Sequence, residues 1–172
     1  QEPFLGLEGA PPERTIYLSM LHESGLHGPV ENGQYRFGMG LADPLNWRPA
    51  WDLIETMLSS TESVRFSDLL GALRKAPFGL NAGPALILLA VFMLARRTDV
   101  ALMERNSFQP ELTGAHFMRL AKTPKNFALS YLGDVVGGQS IIKRTVIGAD
   151  RGLNRAKQIA DHRFVRVIQK RR

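Results

Sequence analysis

The chain has 172 residues, 44% of them hydrophobic and 22% charged, with a formal net charge of +6 and no cysteine. That composition fits one ordinary globular domain, long enough to bury a core without metals, and it excludes a disulfide scaffold or a cysteine-based zinc site. The charge is uneven: from Arg119 onward thirteen basic residues stand against Asp134, Asp150 and Asp161 only, a net of +10 that leaves −4 for the rest.

Residues 1–46 read as an irregular N-terminal arm, rich in turn formers such as Pro11-Pro12, Gly28-Pro29 and Asn32-Gly33. The stretch Gln1–Pro12 is acidic and broken by Gly and Pro, so no signal peptide is expected in it. One short helix is expected over Glu13–Glu23, where Ile16, Met20 and Leu21 recur at helical spacing. Asn32-Gly33 favours a tight turn, so Asn32–Phe37 is expected to form a hairpin arm.

Residues 47–132 carry the cleaner pattern. Trp51, Ile54, Met57 and Leu58 mark an amphipathic helix, with Asp52 and Glu55 placed toward its positive N-terminal end. Val64–Phe66 reads as a short strand, and Ser67 as the N-cap of a second helix bearing Leu69, Leu70 and Leu73. A third helix opens at Asn81–Pro84 and runs through the apolar segment Ala85–Ala95. That run is about half of the roughly 20 residues a bilayer span needs, so it reads as a buried helix and no membrane partner is expected. Val100–Met103 and Phe108–Leu112 then read as a two-stranded ribbon, with Pro110 implying an edge position. Thr113 caps a fourth helix that ends at Lys122, and Phe127–Leu132 reads as a strand.

The order helix, short strand, helix, helix, ribbon is that of a winged helix. The expected fold class is therefore α+β, mainly helical, with a winged-helix-like core, the irregular arm, and a basic helical C-terminal tail over residues 133–172.

Catalytic and cofactor motifs are missing from this sequence. It contains no Gly-x-x-x-x-Gly-Lys-Ser/Thr loop, whose backbone and lysine would hold a nucleotide's phosphates, and no Gly-x-Ser-x-Gly. His22-Glu23 and His27 sit five residues apart with Gly25 between, whereas a zinc-protease helix sets its histidines four apart on one face; both read as exposed or loop histidines. His116 and His162 have no evident partner. No cofactor and no enzymatic activity are expected. Trp47 and Trp51, bracketing Pro49, read as anchors that pin the arm to the core.

Two kinds of partner follow from the charges. Arg96, Arg97 and Arg105 are placed to touch phosphates from the ribbon end, although an apolar third helix offers no donor or acceptor to a base edge. The tail adds Lys143, Arg144, Arg151, Arg155, Lys157, Arg163, Arg166, Lys170, Arg171 and Arg172. Its charge fits nucleic acid or an acidic protein face, and equally a solvated face or docking on an acidic part of a parent chain.

The stretches Ala76-Pro-Phe-Gly-Leu80, Gly83–Ala90 and Asp99–Leu112, together with Thr15–Gly25 and Trp47–Ile54, resemble a segment downstream of the ATPase core in large bacterial P-loop proteins of the BREX type, which act in phage defence. The resemblance spans residues 15–132 and rests on apolar and turn positions. It implies an accessory winged-helix-like region of a multidomain, cytoplasmic ATPase, whose partners are the remainder of that parent or other subunits, with no active-site residue to carry over.

Overall fold

The computed structural model describes residues 3–30, 33–40 and 42–132. Gln1–Leu132 form one compact unit, so the arm belongs with the core it precedes. The fold is α+β, with about half of the described residues helical and two small antiparallel sheets. Among the described residues no helix is long and apolar enough to cross a membrane.

The arm folds as a helix α1 (Pro12–Tyr17), continued by one wide turn over Leu18–His22, and a hairpin of β1 (His27–Pro29) and β2 (Tyr35–Phe37). The expected hairpin is thus present; Gly33 takes φ +74°, and Asn32 lies outside the described residues. The helix is rotated from the expected phase: Tyr17 is buried and Ile16 is exposed, because the arm packs through Tyr17 against His27. Gly25 is required at its position. Its φ is +75°, and a Cβ there would stand 2.9 Å from the carbonyl oxygen of Ala42.

The core begins with α2 (Arg48–Ser60), which buries Ala50, Trp51, Ile54 and Leu58 at the expected helical spacing. Asp43 supplies its start, accepting from the Trp47 and Arg48 amides at 2.7 and 2.8 Å. Strand β3 is only Val64–Arg65; α3 (Phe66–Arg74) starts two residues sooner than the Ser67 cap would have it, with Arg65 at the N-cap position. Burial of Phe66 decides this, pulling the first helical turn onto the core, so Ser67 sits inside the helix.

Helix α4 (Ala82–Ala95) is the centre of the unit. Every residue from Ala85 to Ala95 is buried or half-buried. Helix α3 and strand β2 pack against it, and Trp51 meets Phe92 with ring centroids 4.8 Å apart. An unpatterned apolar helix needs enclosure of this kind, since no face of it gains from water, and here the face of Leu86, Ile87, Ala90 and Leu94 stays half-buried.

The ribbon follows as β4 (Val100–Glu104) and β5 (Ser107–Gln109), joined by a two-residue turn with φ +49° at Arg105 and +65° at Asn106. Two left-handed residues in succession make the turn whose twist matches that of the strands. Strand β5 ends before Pro110, whose missing N–H cannot continue the ladder. Helix α5 (Gly114–Lys122), a short 3-10 turn (Pro124–Asn126) and β6 (Phe127–Tyr131) complete the described unit.

The sheet order is β3-β6-β4-β5, all antiparallel. Strand β6, last of the described strands, is threaded between the short strand and the ribbon. Its alternation places Phe127 and Leu129 in the core beside Val64 and Leu102. The edge position implied for the second ribbon strand is therefore observed.

Candidate functional site

A surface pocket of about 360 Å3 opens between the end of β2, α2 and the C-terminal end of α4. Phe37, Met39 and Trp51 form its apolar wall, while Arg48, Asp52, Glu55 and Arg96 bring charge. Glu55 is the hub. Its Oε1 accepts from the Trp51 indole N–H at 3.1 Å and from the Arg96 guanidinium, which also lies 3.7 Å from the Asp99 carboxylate. The hydrogen bond to Glu55 raises the Arg96 pKa above its ordinary value. Tyr131, on the neighbouring strand β6, is also pushed up, first by burial and then by the Glu55 charge.

Asp52 and Glu55 lie beyond the first turn of α2, where the helix dipole has faded, so the dipole does not account for them. Glu55 instead ties α2 to the end of α4. Arg48 donates to the Gly40 carbonyl at 3.2 Å, fastening the arm's exit to the same place. Chemically the pocket offers neutralised ion pairs beside an indole, an arrangement suited to holding elements together.

A second cluster lies in the arm. His27 is 0% exposed, which corrects the expectation of an exposed or loop histidine. Its Nδ1 shares a 2.7 Å hydrogen bond with the Tyr17 hydroxyl. Phe37, Tyr35 and Tyr17 surround the ring, with centroids 4.5, 5.4 and 5.6 Å away. Its Nε2 is buried and has no partner among the described residues. Burial, followed by the charges around it, His22 included, lowers its pKa below the usual histidine value. Burial likewise raises that of Tyr17. Among the described residues no three metal-ligating side chains come together.

His116, expected without a partner, has several. The Thr113 backbone N–H donates to its Nδ1 at 3.2 Å, so that nitrogen accepts, and Nε2 carries the proton that meets Gln109 Oε1 at 3.1 Å. It fastens the start of α5 to the edge strand β5.

The expected phosphate-contacting residues have different surroundings. Arg96 is engaged by Glu55 and Asp99; Arg97 is exposed in the following turn; Arg105 is exposed at the ribbon tip. Lys143, Arg144, Arg151, Arg155, Lys157, Arg163, Arg166, Lys170, Arg171 and Arg172 lie outside the described residues. Trp47 and Trp51 are 7% and 6% exposed, as anchors should be. Sequence reasoning missed the Glu55–Arg96 pair, whose members stand 41 residues apart, and the two-pronged contact of Arg119 with Glu104 at 2.9 and 2.8 Å. No spacing signal marks either pair. Comparison with protein-family models, with curated proteins and with solved structures yields no match for this chain.

Proposed function

We propose that this chain is a non-catalytic interaction and regulatory module of a larger bacterial NTP-driven assembly, one that serves in defence against phage. Its core, on this reading, is a winged-helix-like unit with β6 added between the short strand and the ribbon. The observation that carries the reading is the enclosure of α4. Where a DNA-reading winged helix turns a polar third helix toward base edges, this one is apolar all round, buries most of its circumference and leaves the face of Leu86, Ile87, Ala90 and Leu94 half-buried. The aromatic arm adds to it, since Trp47, Trp51 and the hairpin spend their surface on bracing the core. The sequence holds no phosphate-binding loop, so nucleotide hydrolysis belongs to another part of the assembly.

Deleting residues 47–132 from the full-length gene product tests this directly. Basal nucleotide turnover is expected to persist, while oligomeric mass by light scattering, or recruitment of co-purifying subunits, is lost. Turnover of ATP or GTP by the isolated 172-residue chain would end the proposal.

A further inference from the structure

One end of the sheet gathers cations that no carboxylate holds. Arg105 tops the ribbon, and its backbone N–H donates to the Asn126 carbonyl at 2.8 Å, which places the ribbon tip against the 3-10 turn. That turn carries Lys125 and packs on α3, α5 and β3. Lys122 closes α5 just before it, and Arg65 lies on edge strand β3, in register with Ala128 two residues beyond the turn. All four side chains are exposed. The ion pairs among the described residues belong to Arg96 and Arg119, so none involves these four. Of the carboxylates close by in the chain, Glu104 is clamped by Arg119 and also feels the Arg105 charge; Asp68, in the first turn of α3, accepts from the Ser67 hydroxyl at 3.3 Å; and Glu62, which precedes β3, is engaged. The opposite end of the unit differs, because there Arg96 is matched by Glu55 and Asp99.

We propose that Arg65, Arg105, Lys122 and Lys125 form a sequence-independent contact surface for the phosphate backbone of nucleic acid. Phosphates are met by Arg and Lys with amide and backbone donors nearby, and Asn106 in the ribbon turn and Asn126 in the 3-10 turn neighbour these cations in the chain. Protein interfaces, though also rich in arginine, are poor in lysine and rich in aromatic residues. No aromatic side chain is exposed among the described residues, and the one strongly exposed apolar neighbour is Met118, a turn before Lys122. Stacking on bases therefore has no platform here, and α4 is enclosed, which leaves the backbone as the contact. This surface is independent of the packing-module reading: either stands if the other falls.

The test titrates the full 172-residue chain into a labelled duplex of ~25 base pairs, by fluorescence anisotropy between ~50 and ~200 mM salt. The chain with Arg65→Gln, Arg105→Gln, Lys122→Gln and Lys125→Gln keeps its tail intact. A control set, Arg36→Gln, Arg74→Gln, Lys75→Gln and Arg97→Gln, removes the same charge elsewhere. The expected result is a drop of ~10-fold or more in affinity at low salt, with the slope of log affinity on log salt shallower by about 0.9 for each phosphate no longer neutralised. The control set should move that slope by less than about 0.9 in all. Lys125→Glu alone should weaken binding more than Lys125→Gln, and far-UV circular dichroism checks that every variant is folded. Three outcomes overturn the proposal: no binding by the unaltered chain, equal losses from the two sets, or labelled polyglutamate bound as tightly as duplex and released by the same four substitutions. The last would assign the surface to an acidic protein instead.

Discussion

His27 should make the fold weaken as pH falls below 6.5, the ordinary histidine value from which burial depresses it. In the folded chain the ring sits at 0% exposure among Tyr17, Tyr35 and Phe37, with His22 close enough to oppose a second positive charge. The unfolded chain takes up the proton at about the ordinary value, while the folded chain refuses it until a lower pH. Between those two values the unfolded state binds more protons, so stability drops as pH drops, by about 1.4 kcal/mol per pH unit at most. Above 6.5 the full stability is present, and below the folded value the slope vanishes. His27→Phe alone would orphan the buried Tyr17 hydroxyl, at a cost of about 1–3 kcal/mol. Pairing it with Tyr17→Phe removes both partners and should be near neutral at pH 7.5. Urea unfolding at about pH 7.5, 6.5 and 5.5, with amide exchange at Gly38, whose N–H bonds the Leu26 carbonyl at 3.0 Å, reads core and arm separately. If the double variant loses as much stability between pH 6.5 and 5.5 as the unaltered chain, the reasoning fails.

Three further outcomes follow from the packing and the turns. Phe92→Ala, in the enclosed helix and against Trp51, should cost about 3–5 kcal/mol in urea unfolding, and a loss under about 1.5 would mean that α4 is not the centre of the core. Asn106→Gly should be neutral or stabilising by a few tenths of a kcal/mol at φ +65°, while Asn106→Val should destabilise by about 1–2, both read from thermal midpoints. Glu104 should titrate below 4.5 by NMR because the Arg119 guanidinium holds its carboxylate; in Arg119→Gln the midpoint should climb back to the ordinary range, and an unchanged midpoint would show that the ion pair is not formed in solution.

Much of the fold was legible because it is local. Trp51, Ile54 and Leu58 repeat at a helical period, so α2 follows from spacing alone, and Phe127 and Leu129 alternate as a strand must. Helix α4 has no period, yet its length, Pro84 and the arginines after it bounded it. What could not be read was long-range choice. Nothing in Phe127–Tyr131 says that it pairs with both β3 and β4, since that order depends on which strand edges the rest of the fold leaves open. His27 stands in a Gly-rich stretch that looks like loop, and only the partners from α1 and β2 bury it.

The charges show the same division more sharply. Counting along the chain divides it at Arg119, with a basic tail after it and a mildly acidic remainder before it. Folding redraws that line. Arg119, the first residue of the basic side, is spent on Glu104, and Arg96 is spent on Glu55 and Asp99, whereas its neighbour Arg97 stays exposed. Arg65 and Arg105, from the nominally acidic side, are carried toward Lys122 and Lys125 because register brings β3, the ribbon tip and the 3-10 turn together. A net charge summed over sequence therefore gives the sign of a partner but not the place where it lands. The place is set by which cations find carboxylates, and those pairings span 41 residues in one case and 15 in the other.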